Sequence, residues 1–312
     1  MNLSLPPLRS ARRLLPFLPP LLLIALISGV VFTCNRSAYS RLTGPRKIEV
    51  LFLGHKSEHH NSEQFMPMLA AGLTRKGINF TYTDNPDDLN PEVLAHYDAL
   101  MLYANHDSIT APQEKALLEF VRSGRGFLPI HCASHCFRNS KSFLALVGGR
   151  FDHHGTGTFT ATMTDVKHPV TEGLSPFETW DETYVHSGLS NDRTVLMERV
   201  DSAGHEPWTW VREEGKGRVF YTAYGHDART WSQPAFHALI EKGILWSVGE
   251  EVRGYWSQLP AMPSLSYQDA VIPNYEKRDP APKYQLPLSA EESMKLIQVP
   301  EGFDVTLFAS EP

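Results

Sequence analysis

The sequence predicts an α/β domain in which a parallel sheet carries helices on both faces and accepts a β-rich insertion. From residue 47 to about residue 150, short apolar runs typical of buried strands alternate with segments of helical spacing. The connections between them are short, and this order implies parallel pairing with right-handed crossovers. After residue 150 several strand-like segments follow one another before a last helix, which predicts the insertion.

Local signals predict the first half of the domain element by element. Thr110 and Gln113 form a capping box, and Pro112 suits the first turn of the helix that they open. Gly77 ends the predicted helix at residues 62–76. The predicted strands are residues 47–54, 78–83, 99–103 and 127–131, and the predicted helices are residues 62–76, 110–122 and 140–147.

The second half is predicted to be mostly β-structure. Residues 207–212 and 218–223 predict a hairpin that turns at residues 214–217, where two glycines occur. Further strands are predicted at residues 159–163 and 194–199, and a closing helix at residues 234–248. Together these elements predict one domain of the flavodoxin-like type over residues 47–250.

Residues 1–34 have the pattern of a signal peptide or membrane anchor. Three arginines precede an uncharged run from residue 14 to residue 32. Prolines interrupt the first half of that run, which favours a signal sequence over a spanning helix of roughly 20 apolar residues. Residues 31–34 resemble a lipoprotein cleavage box, so a lipid on Cys34 and an unmodified Cys34 both stay open. After a linker at residues 35–46, the remainder is predicted to be exported, to the periplasm or cell surface, and membrane-anchored.

The other global features are less specific. A net charge of −6 indicates no nucleic-acid partner. Residues 251–287 are rich in proline and predict a semi-rigid linker. Residues 288–312 predict the opening of a further domain, with a helix starting at Ser289 and a strand at residues 303–309. Cys132 and Cys136 lie one helical turn apart, so a disulfide and a pair of free thiols are both open.

The histidines indicate where a functional site lies. All 14 fall between residues 55 and 237, and four follow the ends of predicted strands: His55, His106, His131 and His226. In an open α/β sheet these ends share one edge, which is where ligands bind. Imidazole transfers protons near neutrality and is the commonest metal ligand.

Neighbouring residues extend the candidate site. Glu182 lies in a segment rich in Trp and Tyr, where an apolar setting would raise its pKa and suit it to acid–base catalysis; the alternative is a buried glutamate paired with an arginine. Asp227 is either the carboxylate that orients His226 or a helix cap. The pairs at residues 59–60 and 153–154 are predicted to lie in exposed loops. Candidates for substrate contact are His55, His106, Cys132, Tyr184, His186 and Asp227.

A metal is the second interpretation of the same residues. His55, His131 and His226 are the candidate ligands for a divalent ion such as zinc, with His59, His135 and Glu182 as further donors, because catalytic zinc sites use three ligands and keep one position open. No His-Glu-x-x-His motif occurs in the sequence. The residues therefore leave acid–base and metal-assisted chemistry both open, and they require no other cofactor.

Three segments carry a resemblance to a known family. Residues 126–135, 180–186 and 217–227, with Trp231 following, resemble a ThuA-like domain, named for trehalose utilisation, and the resemblance covers residues 47–250. It implies a fold like that of the class I glutamine amidotransferases, in which a nucleophilic cysteine at a strand end pairs with a late histidine. The cysteine position falls at His131 and the histidine position at His226. A histidine in place of the nucleophile argues against amidotransferase chemistry, and the resemblance implies a role in metabolism of sugars or oxidised (3-keto) glycosides.

The end of the chain resembles a different family. Residues 288–294, 299–303 and 309–312 resemble the start of a membrane-associated sugar-dehydrogenase propeller, which can be followed by a cytochrome c domain. The leading hypothesis is therefore an exported enzyme in which His226 and Glu182 transfer protons and His131 polarises a carbonyl or holds a water or metal. The rival hypothesis is a non-catalytic sugar-binding or docking module. A third is an amidotransferase relative that uses Cys132.

Overall fold

A computed structural model describes residues 44–202, 204–270, 282–297, 299 and 303–310. The predicted leader at residues 1–34, including Cys34, lies outside them. No helix in the described part of the chain is both long enough and apolar enough to cross a membrane.

An eight-stranded mixed sheet forms the centre of the domain. Its eight strands are β1 Ile48–Leu53, β2 Ile78–Thr83, β3 Ala99–Leu102, β4 Gly126–Pro129, β6 Thr162–Met163, β8 Thr194–Asp201, β9 Gly204–Glu214 and β10 Gly217–Thr222. They lie in the order β2-β1-β3-β4-β10-β9-β8-β6, and the first five of these are parallel. The remaining three continue the sheet in antiparallel fashion. Two further strands, β5 Arg150–Thr160 and β7 Glu178–Ser187, pair with each other outside this sheet.

Helices cover the sheet and complete the predicted α/β fold. Asn61 caps the first helix through its side chain, and the backbone N–H of Thr110 donates to Gln113 in the predicted capping box. The helices are α1 Ser62–Leu73, α2 Pro91–Leu94, α3 Ala111–Arg122, α4 Lys141–Val147, α5 Ala228–Trp231, α6 Pro234–Ser247, α7 Gly249–Trp256 and α8 Ala290–Leu296. The flavodoxin-like α/β prediction is confirmed, and the strand predicted at residues 78–83 has the bounds of β2.

A two-stranded antiparallel arm is the largest element that the sequence analysis did not predict. Strands β5 and β7 pair along their whole length, with Thr156 opposite Glu182 and His154 opposite Tyr184. The pair at residues 153–154 is exposed, as predicted, but it lies in a strand rather than in a loop. The arm carries its side chains to the edge of the sheet where the parallel strands end.

The C-terminal part also differs from prediction in three places. Residues 249–256 form α7, because Val252 and Trp256 pack on the core and Trp256 donates its indole N–H to the carbonyl of Lys76. Short strands β11 (Tyr267–Asp269) and β12 (Lys283–Gln285) pair within the predicted linker. The predicted helix start at Ser289 is confirmed by its capping box, whereas no strand forms at residues 303–309.

Candidate functional site

Four side chains meet at the carboxyl edge of the parallel strands. We call this group, made of His60, His131, Glu182 and His226, the Glu182 cluster. One carboxylate oxygen of Glu182 lies 3.2 Å from Nε2 of His131 and 3.5 Å from Nε2 of His60, and the other lies 3.2 Å from Nδ1 of His226. One donor atom from each of the four residues can be chosen so that all lie within 4.8 Å of one another.

His131 is held rigidly in a strained turn after β4. Its backbone has φ of 49°, a left-handed conformation that non-glycine residues adopt rarely and mostly where function requires it. Its Nδ1–H donates to the carbonyl oxygen of Ala223 at 2.6 Å, and its ring stacks on Tyr184 at a centroid distance of 4.1 Å. The other ring nitrogen, Nε2, faces Glu182.

His226 is positioned by the turn that follows β10. Gly225 has φ of 132° there, and its carbonyl oxygen accepts hydrogen bonds from the Tyr103 hydroxyl at 2.6 Å and the Trp231 indole at 2.8 Å. The Asp181 carboxylate accepts from the backbone N–H groups of Gly225 at 2.9 Å and His226 at 3.0 Å. Asp181 thus links the arm that carries Glu182 to the turn that carries His226.

His60 enters the cluster from the loop between β1 and α1. Its φ is 58°, and its ring lies 4.9 Å from the ring of His131 and 5.3 Å from that of His226. His55 supports it: Nδ1 of His55 accepts from the Asn105 N–H, and Nε2 donates to the carbonyl oxygen of His60 at 3.1 Å. His60 lies in a loop, as predicted, but the predicted exposure is wrong, since only 11% of its side chain is exposed.

The ionisation of the cluster differs from the expectation for Glu182. Burial raises the pKa of Glu182, but its contacts with His131, His226 and His60 outweigh burial and hold the pKa well below its ordinary value. Its partners are imidazoles, so the alternative of an arginine pair is also wrong. Burial lowers the pKa of His60 to about 4. Burial opposes protonation of His226 as well, but the contact with Glu182 outweighs it and raises the pKa.

An open cavity reaches the cluster at His60 and Glu182, whereas His131 and His226 are not part of its lining. Its volume is about 440 Å³, and it lies at the edge where ligands bind in open α/β sheets. A groove of similar volume along residues 163–172 contains none of the cluster residues. The cavity is lined by Ser57, His59, His60, Asn105, Cys132, His135, Phe151, His154, Glu182 and Tyr184.

Comparisons with known proteins identify the family. The sequence matches the ThuA family, described as trehalose utilisation, over residues 49–247. The chain belongs to the ThuA family. No curated protein matches the sequence.

Solved structures with the same fold include two ThuA-like proteins. One from Parabacteroides merdae is 20% identical, with a TM-score of 0.57 over 65% of this chain and 90% of that chain. One from Bacteroides uniformis is 19% identical, with a TM-score of 0.55 over 65% of this chain and 91% of that chain. At these identities they show the fold of the ThuA domain and nothing further.

The ThuA domain brings only some of the predicted site residues to the cavity. Cys132 and Tyr184 line it, next to His131 and Glu182. Cys132 and Cys136 are free thiols and both are buried, and burial raises the pKa of each. This settles the open choice between a disulfide and free thiols in favour of thiols.

Other predicted residues serve as supports. His186 is buried with Nδ1 against Glu206 at 2.8 Å and Nε2 against the Tyr221 hydroxyl at 2.9 Å, so neither ring nitrogen is left for a ligand. Asp227 caps α5 and accepts hydrogen bonds from Arg229. Of the two roles predicted for Asp227, the structure therefore shows the helix cap. His106 donates from Nε2 to the carbonyl of Gly54 and stacks on Phe137.

The candidate metal-ligand set also changes. His55, His60 and Cys132 have donor atoms within 4.8 Å of one another, but both ring nitrogens of His55 are hydrogen-bonded. In the ThuA domain His60 and Glu182 therefore join His131 and His226 as the group that could hold a metal, and His55 acts through His60. His154 adds a fourth imidazole next to Glu182, with Nε2 at 3.5 Å from the carboxylate on the cavity rim.

Proposed function

We propose that this member of the ThuA family is an exported enzyme that acts on a sugar or an oxidised glycoside with the help of a divalent metal held by the Glu182 cluster. The family description supports a carbohydrate substrate, and the leader-like residues 1–34 support export. The orientation of His131 carries the metal proposal.

His131 points Nε2 at a carboxylate. Because its Nδ1–H donates to Ala223, Nε2 of a neutral ring would have only a lone pair to offer to the Glu182 oxygen at 3.2 Å. Two electron-rich atoms at this distance repel each other unless a cation lies between them, either a proton on Nε2 or a metal ion bound to both atoms. Metal-bound histidines characteristically donate their second ring nitrogen to a carbonyl or carboxylate, as His131 does.

The other two imidazoles of the cluster also direct a ring nitrogen at Glu182. Nε2 of His60 and Nδ1 of His226 are buried beside Glu182, yet neither makes a hydrogen bond of good geometry with any described residue. Zinc lies about 2.0–2.2 Å from imidazole nitrogens and carboxylate oxygens, which fits donor atoms within 4.8 Å of one another. Three imidazoles and one carboxylate suit zinc and similar first-row metals better than calcium or magnesium.

A bound divalent metal would supply a Lewis acid that polarises a carbonyl or hydroxyl oxygen of the substrate. The cavity side chains would do the rest. His154 donates from Nδ1 to the carbonyl of Gly155, and its Nε2 lies at the rim, 3.5 Å from Glu182. His135 lines the same cavity with Nδ1 unpartnered among the described residues. Either imidazole is placed to move a proton to or from a sugar hydroxyl, a role the sequence analysis gave to His226 and Glu182.

Metal content of the purified full-length protein tests the proposal. We expect about one equivalent of zinc, manganese, cobalt or iron by elemental analysis, and binding of added Zn²⁺ after chelation by titration calorimetry. Glu182→Gln and His226→Ala should each weaken binding by about 100-fold or more, because each removes a direct ligand. His205→Ala is the matched control, since its imidazole is exposed, contacts Glu198 and does not belong to the cluster. A folded wild-type protein that binds none of these metals would refute the metal proposal.

Turnover of 3-keto glycosides separates the remaining alternatives. Turnover that chelation abolishes and metal restores supports the proposed enzyme. Turnover unaffected by chelation but lost in His226→Ala and Glu182→Gln would support proton transfer by the cluster itself. Sugar binding without turnover would support the docking module. We do not propose amidotransferase activity, because Cys132 is a buried thiol beside His131 and its pKa is raised.

A further inference from the structure

We infer that a polar cleft beside the Glu182 cluster is a second subsite, which holds the second unit of a two-ring carbohydrate while the first unit occupies the cluster cavity. The inference rests on the proposed function, because it assigns a substrate class to the same site.

The cleft adjoins the cavity directly. It has a volume of about 690 Å³ and shares Ser57 and Asn105 with the 440 Å³ cavity. Each volume lies in the range of about 300–1,000 Å³ typical of small-molecule sites. A ligand longer than one ring could therefore pass from one compartment to the other between these two residues. The cleft is lined by His55, Lys56, Ser57, Asp84, Asn85, Asn105, His106 and Asp107.

The sheet topology places the cleft where α/β folds bind ligands. Strand β1 lies between β2 and β3, so the chain winds to one side of β1 and then returns to the other. The lining residues follow the carboxyl ends of these three strands, at residues 55–57, 84–85 and 105–107. Ligands in such sheets bind in the crevice at this reversal of strand order. His55 and His106, which the sequence singled out as strand-end histidines, belong to this crevice.

The chemistry of the lining favours a neutral polyhydroxylated ligand. Every lining residue is polar or charged, so the cleft offers no apolar face to a lipid or aromatic ligand. Its charges are balanced: Lys56 pairs with Asp84 at 3.0 Å, and Asp107 pairs with Arg138. A phosphate or carboxylate would therefore find no unpaired cation among these lining residues, whereas sugar hydroxyls can both donate to Asp84 and accept from Lys56.

Asn105 connects the two compartments. Its backbone N–H binds His55, but its side-chain amide makes no hydrogen bond with the described residues. An amide offers two donors and one acceptor, which matches a bridging position between two hydroxyl-bearing rings. Two rings of one molecule would thus contact the same side chain.

Sugar binding to the full-length, zinc-loaded protein tests the inference. The probes are trehalose and glucose, together with their 3-keto forms, measured by titration calorimetry. We expect Asp84→Ala to raise the Kd of the disaccharides at least tenfold and that of the monosaccharides less than twofold. Asp84→Asn keeps an acceptor oxygen and should recover part of the loss. Glu119→Ala, on the exposed face of α3, is the control, and circular dichroism confirms folding.

The outcomes are distinct. Equal weakening of one-ring and two-ring ligands, or no change for either, would overturn the second subsite. If the wild type binds neither kind of sugar while retaining its metal, the carbohydrate part of the proposed function fails and the subsite fails with it. If the wild type binds sugars but no metal, only the metal proposal fails.

Discussion

Replacing Asp181 by asparagine is the sharpest test of how the site is assembled. One carboxylate oxygen of Asp181 accepts from the N–H groups of Glu182 at 2.8 Å and His226 at 3.0 Å. The other accepts from the N–H of Gly225 at 2.9 Å and the Thr230 hydroxyl at 2.7 Å. The side chain is fully buried, and four donors converge on it.

The cost of Asp181→Asn follows from these four contacts. Asparagine has one acceptor oxygen, so its NH₂ group must face two of the former donors. Thr230 can rotate its hydroxyl to accept, but the N–H of Gly225 cannot, and it is left unsatisfied. A buried unsatisfied donor costs about 1–3 kcal/mol, and loss of the charge weakens the remaining bonds. We expect a loss of about 2–4 kcal/mol in the free energy of unfolding, or about 5–15 °C in Tm.

Urea unfolding of the chelated protein measures this loss directly, and zinc titration measures its effect on the site. Zinc affinity should fall together with stability, because the Gly225–His226 turn loses its anchor. Thr230→Val removes one of the four donors and should cost less, about 1 kcal/mol. Asp227→Asn changes a neighbouring, more exposed carboxylate and is the control. Burial raises the pKa of Asp181 while its donors lower it. If Asp181→Asn stays within about 0.5 kcal/mol of the wild type, the side chain is already neutral and our account is wrong.

Three further predictions concern the surroundings of the site. His55→Ala should weaken zinc binding by about 10–100-fold, because His55 acts through the carbonyl of His60. His60→Ala should weaken zinc binding more, and equal losses of zinc affinity in titration calorimetry would contradict this. Burial lowers the pKa of His186, so the folded state binds a proton there less readily than the unfolded state. The free energy of unfolding should therefore fall as the pH drops below about 6.5. Urea unfolding at pH 7.5 and 5.5 should show a smaller fall for His186→Gln than for the wild type. Burial raises the thiol pKa of Cys132 and Cys136, so alkylation at pH 8 should label both only after unfolding; rapid labelling of either in the native protein, mapped by mass spectrometry, would contradict their burial.

The first half of the fold could be predicted because its signals are local. Strand β2 is a segment in which apolar or aromatic residues alternate with polar ones, between a helix-ending glycine and a turn. Helix α3 begins at a capping box that is recognisable from four residues. Short connections then require parallel pairing. The arm formed by β5 and β7 carries no such signal. Most of β5 is exposed and contains Gly155 and Gly157, so its strand conformation depends on pairing with β7, which is distant in sequence.

The candidate site was predictable to the extent that it follows strand ends. His131 and His226 lie after β4 and β10, which are adjacent and parallel, so their meeting follows from topology. Glu182 was found through its aromatic neighbours, but its partners depend on the register of the arm. His60 could not be assigned, because a left-handed turn in the loop after β1 directs it inward, and the sequence shows only two adjacent histidines.

The strained turn at His131 explains why a histidine suits this position. The resemblance to class I glutamine amidotransferases places a nucleophile here, on a sharp turn that lifts its side chain to the edge of the sheet. In this chain the same turn holds an imidazole by its Nδ1–H on Ala223, stacks it on Tyr184 and directs Nε2 to Glu182. A nucleophile would need Nε2 free to reach the substrate, whereas here it faces a carboxylate and two further imidazoles. The left-handed turn, with φ of 49°, therefore fixes the direction of Nε2 towards Glu182, which fits the proposed metal ligand better than a nucleophile that must reach the substrate.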